Sequence, residues 1–313
     1  MLDTVRTKIR KPAAAICLLL SMCAVPLYGQ TASRRSITIV TEPHATIWIG
    51  SVRYGTTNGS GRLTIRSVPA GRQTLRVRAD GFAEVSKPLS PTLTGEIPIK
   101  MAPTTDEAWL AFQEGERQAG LDRAKAAEAY RKAIKLNPKL APAHIGLART
   151  LSDAGDHEAA LTAIKALRRV APRNAEASAI EGRIYKELDD EAKAITSFKR
   201  AIAEGGGHQP EAYAGIGLLY KEKAEGSADS DDPEVERAFG EASKNFSIAV
   251  KQLSGAPDAI VIMQLLGLIY ERQKRYKEAI SVYEDFLRTF PDSSEAEAVR
   301  SFIVQINKQL AEQ

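Results

Sequence analysis

Cysteine occurs at only two positions, Cys17 and Cys23, and both fall within the first thirty residues of a 313-residue chain. Once that segment is removed no thiol remains, which excludes disulfides, a cysteine nucleophile and cysteine-ligated metal. The four histidines, His44, His144, His157 and His208, stand singly, with no His-Glu-x-x-His spacing and no Gly-x-Ser-x-Gly elbow anywhere. Asp189-Asp190-Glu191 and the Asp229–Asp232 run lack the ligand order of a calcium loop, and Gly205-Gly206-Gly207 does not follow a strand as a phosphate loop would. The sequence therefore predicts no enzyme, no catalytic residue, no metal and no cofactor. Aromatic residues are scarce, at 6% against 43% hydrophobic, which suits packing by alanine-rich helices.

Long hydrophobic runs are also missing. The longest, Ala13 to Val25, is shorter than the roughly 20 residues of a spanning helix and ends at Pro26. Arg6, Lys8, Arg10 and Lys11 precede it, and the small residues Gly29 and Ala32 follow, which is the three-part layout of a secretory signal peptide over residues 1–30. The expectation is export across a bacterial inner membrane and a periplasmic or envelope location, with no stable membrane span after cleavage. An uncleaved anchor, or lipidation at Cys23 after Leu20-Ser21-Met22, is the alternative.

Charge is uneven along the rest. Residues 31–102 hold ten Lys and Arg against four Asp and Glu, whereas residues 103–313 hold 29 against 34. The basic pI of about 8.9 thus belongs to the N-terminal third, and nucleic-acid binding by the whole chain is not predicted.

Between Ser36 and Met101 the hydrophobic period is two. Ile37 and Ile39, Leu63 and Ile65, Leu75 and Val77, and Ile97 and Ile99 each alternate with polar residues, as half-buried strands do. Turn signals divide them at Glu42-Pro43, Gly55, Asn58-Gly59-Ser60-Gly61, Pro69-Ala70-Gly71 and Asp80-Gly81. This pattern predicts a small antiparallel β-sandwich over residues 36–102. The run Val68-Pro69-Ala70-Gly71 with its following strand to Asp80-Gly81-Phe82, and the opening Glu42-Pro43 to Gly50, resemble PEGA domains. The Gly55–Arg62 stretch instead resembles the regulatory β-domains that follow carboxypeptidases; either resemblance implies a transthyretin-like sandwich. Arg62 with Arg66, and Arg76 with Arg78, share strand faces, which are either solvated or a surface for an anionic envelope component.

After a linker at Ala102-Pro103-Thr104-Thr105 a different ruler applies. Ala148 is followed by Ala160, Ile164, Leu167 and Pro172; the first two recur 34 residues on as Gly182 and Ala194. The same internal spacings return as Gly267, Ala279, Tyr283, Phe286 and Pro291. Residues 104–313 read as five helical hairpins and a polar-backed capping helix from Ser294. The fourth hairpin breaks the period, with 25 residues from Gly217 to Ala242 where twelve are usual, through a polar insertion at Glu225–Asp232. The chain here resembles the tetratricopeptide repeat (TPR) family, so the predicted fold is α+β multidomain, a small sandwich followed by an all-α TPR solenoid.

That resemblance implies a concave groove lined by the first helix of each hairpin. Ile145, Arg149, Asp153, Arg183, Lys186, Glu187, Leu218, Lys221, Glu222, Gln264, Glu271 and Arg272 would occupy it. Arg149, Arg183, Lys186 and Lys221 would form a basic stripe for an acidic peptide or chain terminus, against the alternative of ordinary solvated charges. The implied function is a non-catalytic exported scaffold whose groove binds a protein or peptide partner while the β-domain contacts an envelope component. The rival is an envelope-polymer or glycan-binding module centred on the β-domain.

Overall fold

The computed structural model describes residues 35–69, 71–227 and 232–312, which lie within one compact unit. The expected signal peptide, with Cys17 and Cys23, lies outside the described residues.

Seven strands come first: β1 (Ile37–Val40), β2 (Thr46–Ile49), β3 (Val52–Thr56), β4 (Arg62–Ile65), β5 (Gln73–Arg78), β6 (Val85–Leu89) and β7 (Gly95–Pro98). They form two sheets, ordered β4-β1-β7 and β3-β2-β5-β6. The period-two residues Ile37, Ile39, Ile47, Ile49, Leu75 and Val77 are all buried, in one apolar core. Every pairing is antiparallel except β1 with β7, where Ile39 lies opposite Ile97 in parallel register. β7 arrives from the other sheet rather than through a hairpin, so no tight turn dictates its direction. Gly61, at φ +71°, closes the β3–β4 turn where an added Cβ would lie 2.0 Å from the Thr41 carbonyl oxygen.

Eleven helices follow: α1 (Glu107–Gln118), α2 (Arg123–Leu136), α3 (Ala141–Asp153), α4 (His157–Val170), α5 (Ala175–Glu187), α6 (Glu191–Glu204), α7 (Pro210–Glu225), α8 (Pro233–Leu253), α9 (Ala259–Arg272), α10 (Tyr276–Thr289) and α11 (Ala296–Ala311). Asp106, Asp122, Asp156, Asn174, Asp190 and Asp232 cap α1, α2, α4, α5, α6 and α8 by accepting backbone N–H bonds. At their other ends, α2, α4 and α10 stop two residues before Pro138, Pro172 and Pro291.

Ring-in-socket packing holds successive hairpins together. The Tyr130 ring of α2 lies between Gly115 of α1 and Gly146 of α3, and a Cβ on either glycine would come within 2.5 Å of it. The Phe198 ring of α6 fills the same position between Gly182 and Gly215, and Phe246 and Tyr283 press on Gly217 and Gly267. These rings are almost wholly buried, so they cannot swing aside for a methyl group. The second hairpin makes the inverse choice, with the smaller Ile164 on α4 and Ala148 on α3.

The residues expected to be a linker are bound to the sandwich. Ala83 N–H donates to the Ala102 carbonyl, Thr104 N–H to that of Gly81, and Phe82 bridges Pro103. The sandwich then touches the helices at two places. At α1, Gln113 donates to the Ala79 and Phe82 carbonyls at 2.9 and 2.8 Å and accepts from Gly81 N–H at 3.0 Å. Trp109 Nε1 also donates to the Phe82 carbonyl, at 3.0 Å. Arg78 sits over Trp48 on one side and over Trp109 and Phe112 on the other, paired with Glu84 at 2.5 Å and Glu116 at 3.3 Å. The second contact is with the end of α8 and the start of the fifth hairpin. There Val52 and Tyr54 share a core with Leu253, Ala256 and Ala259, and the Tyr54 hydroxyl donates to the Leu253 carbonyl at 3.0 Å. Burial pushes that phenol well above its ordinary pKa, although Ser254 pulls the other way.

Candidate functional site

First helices pack on one another along the stack, α1 on α3, α3 on α5 and α5 on α7, whereas second helices make no comparable contact. The stack therefore curves with the first helices inside, and their outward side chains make an inner face. The four cations singled out in the sequence lie on α3, α5 and α7, and each meets a carboxylate. Arg149 lies 3.2 Å from Glu176 and 3.1 Å from Glu211; Arg183 is 3.1 Å from Asp153; Lys186 is 2.7 Å from Glu222; Lys221 is 2.5 Å from Glu225. What the sequence presents as a basic stripe is, in three dimensions, a lattice of alternating charge.

Glu176 and Glu211 stand in the first turns of α5 and α7, where the helix dipole favours an anion. Sequence reasoning missed both, because it followed charges of one sign. Protein closely surrounds Arg149 and Glu211, yet their side chains stay 35% and 32% exposed. Burial pushes the Glu211 carboxyl up, but Arg149 and Arg183 together hold it below the usual carboxylate range. Arg149 is in turn held further toward its charged form, chiefly by Glu211. Arg183 keeps a buried Nε with no hydrogen-bond partner among the described residues.

The inner face has two dissimilar ends. Toward the helix N-termini the sandwich supplies arginines. Arg76, packed over Trp48, is drawn down by burial and by Arg78, against the pull of Glu84, Glu176 and Glu116. Asp258, just before α9, is raised by burial and by Glu211, with Arg53 and Arg149 opposing. Arg76 and Arg78, which share a strand face, are thus turned to the helices, and Arg66 pairs with Asp292 after α10, while Arg62 pairs with Glu96 within the sandwich. Toward the helix C-termini the sandwich reaches α1, where Arg78 meets Glu116 and Asp80 meets Arg117. On α9 the face becomes apolar, from Val261 in the first turn to Leu268 two turns on, 58% and 47% exposed.

Two clefts open on the helical surface. One, of about 600 Å³, lies between α2 and α4 over Leu147 and Leu151 of α3. The other, of about 410 Å³, lies between α7 and α9 and is walled by Phe239 of α8. Among the described residues no group of three or more histidine, cysteine or carboxylate side chains is placed to hold a metal ion, and no helix is long and apolar enough to cross a membrane.

Comparison with known proteins separates the regular hairpins from the irregular one. Tetratricopeptide-repeat family models match residues 113–184, 175–203 and 263–293, leaving unmatched the stretch that holds the period break. No curated protein matches the chain. Among solved structures, MamA is similar at 22% identity, covering 62% of this chain and 96% of that one, with a TM-score of 0.41. A thermophilic TPR protein of Thermus thermophilus is similar at 19% identity over 64% and 98%, with a TM-score of 0.46. Yeast Tom70 is similar at 17% identity with a TM-score of 0.52, and the match spans 66% of this chain but 41% of that one. At these identities the likeness shows fold alone. The helical part of this chain is a solenoid of tetratricopeptide repeats.

Proposed function

We propose that this protein is a non-catalytic interaction scaffold that holds a protein or peptide partner on the inner face of its solenoid, at Arg149, Arg183, Lys186 and Lys221. Tetratricopeptide repeats are interaction modules, and no cluster of reactive side chains among the described residues argues for chemistry. The observation that carries the reading is the state of the inner face. From α5 to α9 its first-helix positions remain accessible, with charges of both signs and uncovered apolar side chains, while at α1 the sandwich covers it. Arg149, Arg183, Lys186 and Lys221 each already have a carboxylate, so a partner binding them would have to exchange ion pairs, which selects for a segment of matched charge order.

The sandwich, read as PEGA-like from its Pro-Ala-Gly turn, would serve as a brace and as a contact for an envelope component after export and signal removal. The test is affinity capture from a bacterial envelope extract on the full mature chain and on the Arg183→Glu, Lys186→Glu double variant. A partner held by the first and released by the second supports the reading; identical capture by both removes the inner-face assignment. The mass of the mature N-terminus checks the export part, because an intact Met1 would contradict it.

A further inference from the structure

The period break of the fourth hairpin builds something. α8 runs for 21 residues where α2, α4, α6 and α10 have 14, and its first two turns bury Val235, Ala238 and Phe239 in one cluster with Ala224 of α7. At the same step the run of first-helix contacts fails, since α7 and α9 do not pack on each other as α5 and α7 do. The gap is the cleft of about 410 Å³, floored by Leu265, Leu268 and Ala224 and walled by Phe239. Leu268 is 47% exposed, and α9 is the most apolar helix of the solenoid.

Charge around this cleft does not cancel. Lys221 is matched by Glu225, Glu222 lies 2.7 Å from Lys186, and Glu271 accepts the Tyr283 hydroxyl at 2.6 Å. Glu236 is approached by Gln273 Nε2 at 3.4 Å. Arg272 lies over the Phe239 ring at 5.8 Å and has no carboxylate partner among the described residues. A guanidinium over an aromatic wall, beside exposed leucine, offers a bidentate fork to a carboxylate and a dry recess to the side chain next to it.

We infer that the α7–α9 cleft is a docking site for a protein segment in which a bulky aliphatic or phenylalanine side chain stands within two residues of an aspartate or glutamate. The aliphatic group fills the recess at Leu265 and Leu268, and the carboxylate binds Arg272. This rests on the reading of the solenoid as an interaction scaffold and places the partner's anchor at the end of the inner face away from the sandwich.

The test is selection of phage-displayed random decapeptides on the full mature chain, followed by affinity measurement on two variants. Leu268→Glu places a carboxylate in the recess, and Arg272→Glu reverses the charge beside it; both positions are on the surface, and circular dichroism confirms that each variant folds. The wild type is expected to enrich peptides joining Leu, Ile, Met or Phe to a neighbouring Asp or Glu. Leu268→Glu should weaken them by about tenfold or more, and Arg272→Glu should shift selection toward Lys and Arg. Peptides that bind both variants as well as wild type but are lost on Arg183→Glu, Lys186→Glu overturn the cleft and leave the scaffold reading intact. If no peptide is recovered, both readings fall. Self-association abolished by Leu268→Glu in sedimentation would identify the occupant as a second copy and overturn the proposed partner.

Discussion

The sandwich meets the first hairpin and the junction of the fourth and fifth by different physics. At α1 the contact is polar and directional, with Gln113 making three hydrogen bonds to the 79–82 turn and Arg78 stacked and doubly ion-paired. At the α8–α9 junction it is a merged apolar core with the Tyr54 hydroxyl on the Leu253 carbonyl. Apolar burial is non-directional and supplies affinity, whereas buried hydrogen bonds and paired charges fix register and are penalised when one member is lost. One end therefore holds the sandwich, and the other orients it.

Substitutions at the two ends should separate in size and in salt response. Leu253→Ala at the apolar end should cost about 2–5 kcal/mol in urea unfolding, unchanged by salt, because it leaves a cavity in a shared core. A cost under 1 kcal/mol would mean the two cores are not one. Arg78→Ala should cost about 2 kcal/mol, less than for a fully buried pair because Glu84 and Glu116 keep some water. Gln113→Ala should cost about 1–2 kcal/mol by removing the acceptor of Gly81 N–H and one of the two donors to each of the Ala79 and Phe82 carbonyls, and Gln113→Glu should be no milder, since it lacks the donor.

Between the two ends, Glu211 has a folded pKa below its unfolded value. Its contribution is present above about pH 4.3 and is lost as pH falls through the folded value. Glu211→Gln should accordingly lower stability at pH 7 and flatten the acid limb of a pH–stability curve; an unchanged limb would place the acid sensitivity elsewhere. The smallest effect belongs to Arg117→Ala. Its exposed pair with Asp80 should contribute under about 0.5 kcal/mol and nothing in 1 M salt.

Much of this organisation was legible in the chain. The 34-residue period located the hairpins, the prolines marked three helix ends, and the Gly217–Ala242 gap marked where regularity fails. Four strands followed from period-two alternation, and the opening run to Gly50 marked β2. β3 and β6 did not stand out, because Gly55 and Pro88 interrupt them and their neighbours rather than their own pattern make them strands. Gly146 and Gly215 went unread as sockets, since only the fold brings an aromatic from the preceding hairpin against them. The inner-face cations could be placed by periodicity, but not their pairing. Glu211 reaches Arg149 from 62 residues away, and no local pattern encodes that distance. The docking of the sandwich on both ends was likewise invisible, because Gln113 and Arg78 are ordinary surface residue types until a turn or a ring is placed beside them.

An open array of repeats can gain or lose a unit at little structural cost, since each hairpin touches only its neighbours. This one cannot. With the sandwich fastened at Gln113 and at Tyr54–Leu253, insertion of another 34-residue unit would carry one fastening away from the other by roughly the 8–10 Å of a helix spacing, and turn it as well. The copy number of the repeat is thereby locked by a part of the molecule that contains no repeat. Natural variants of this architecture should vary in loop length and side chains long before they vary in how many hairpins they count.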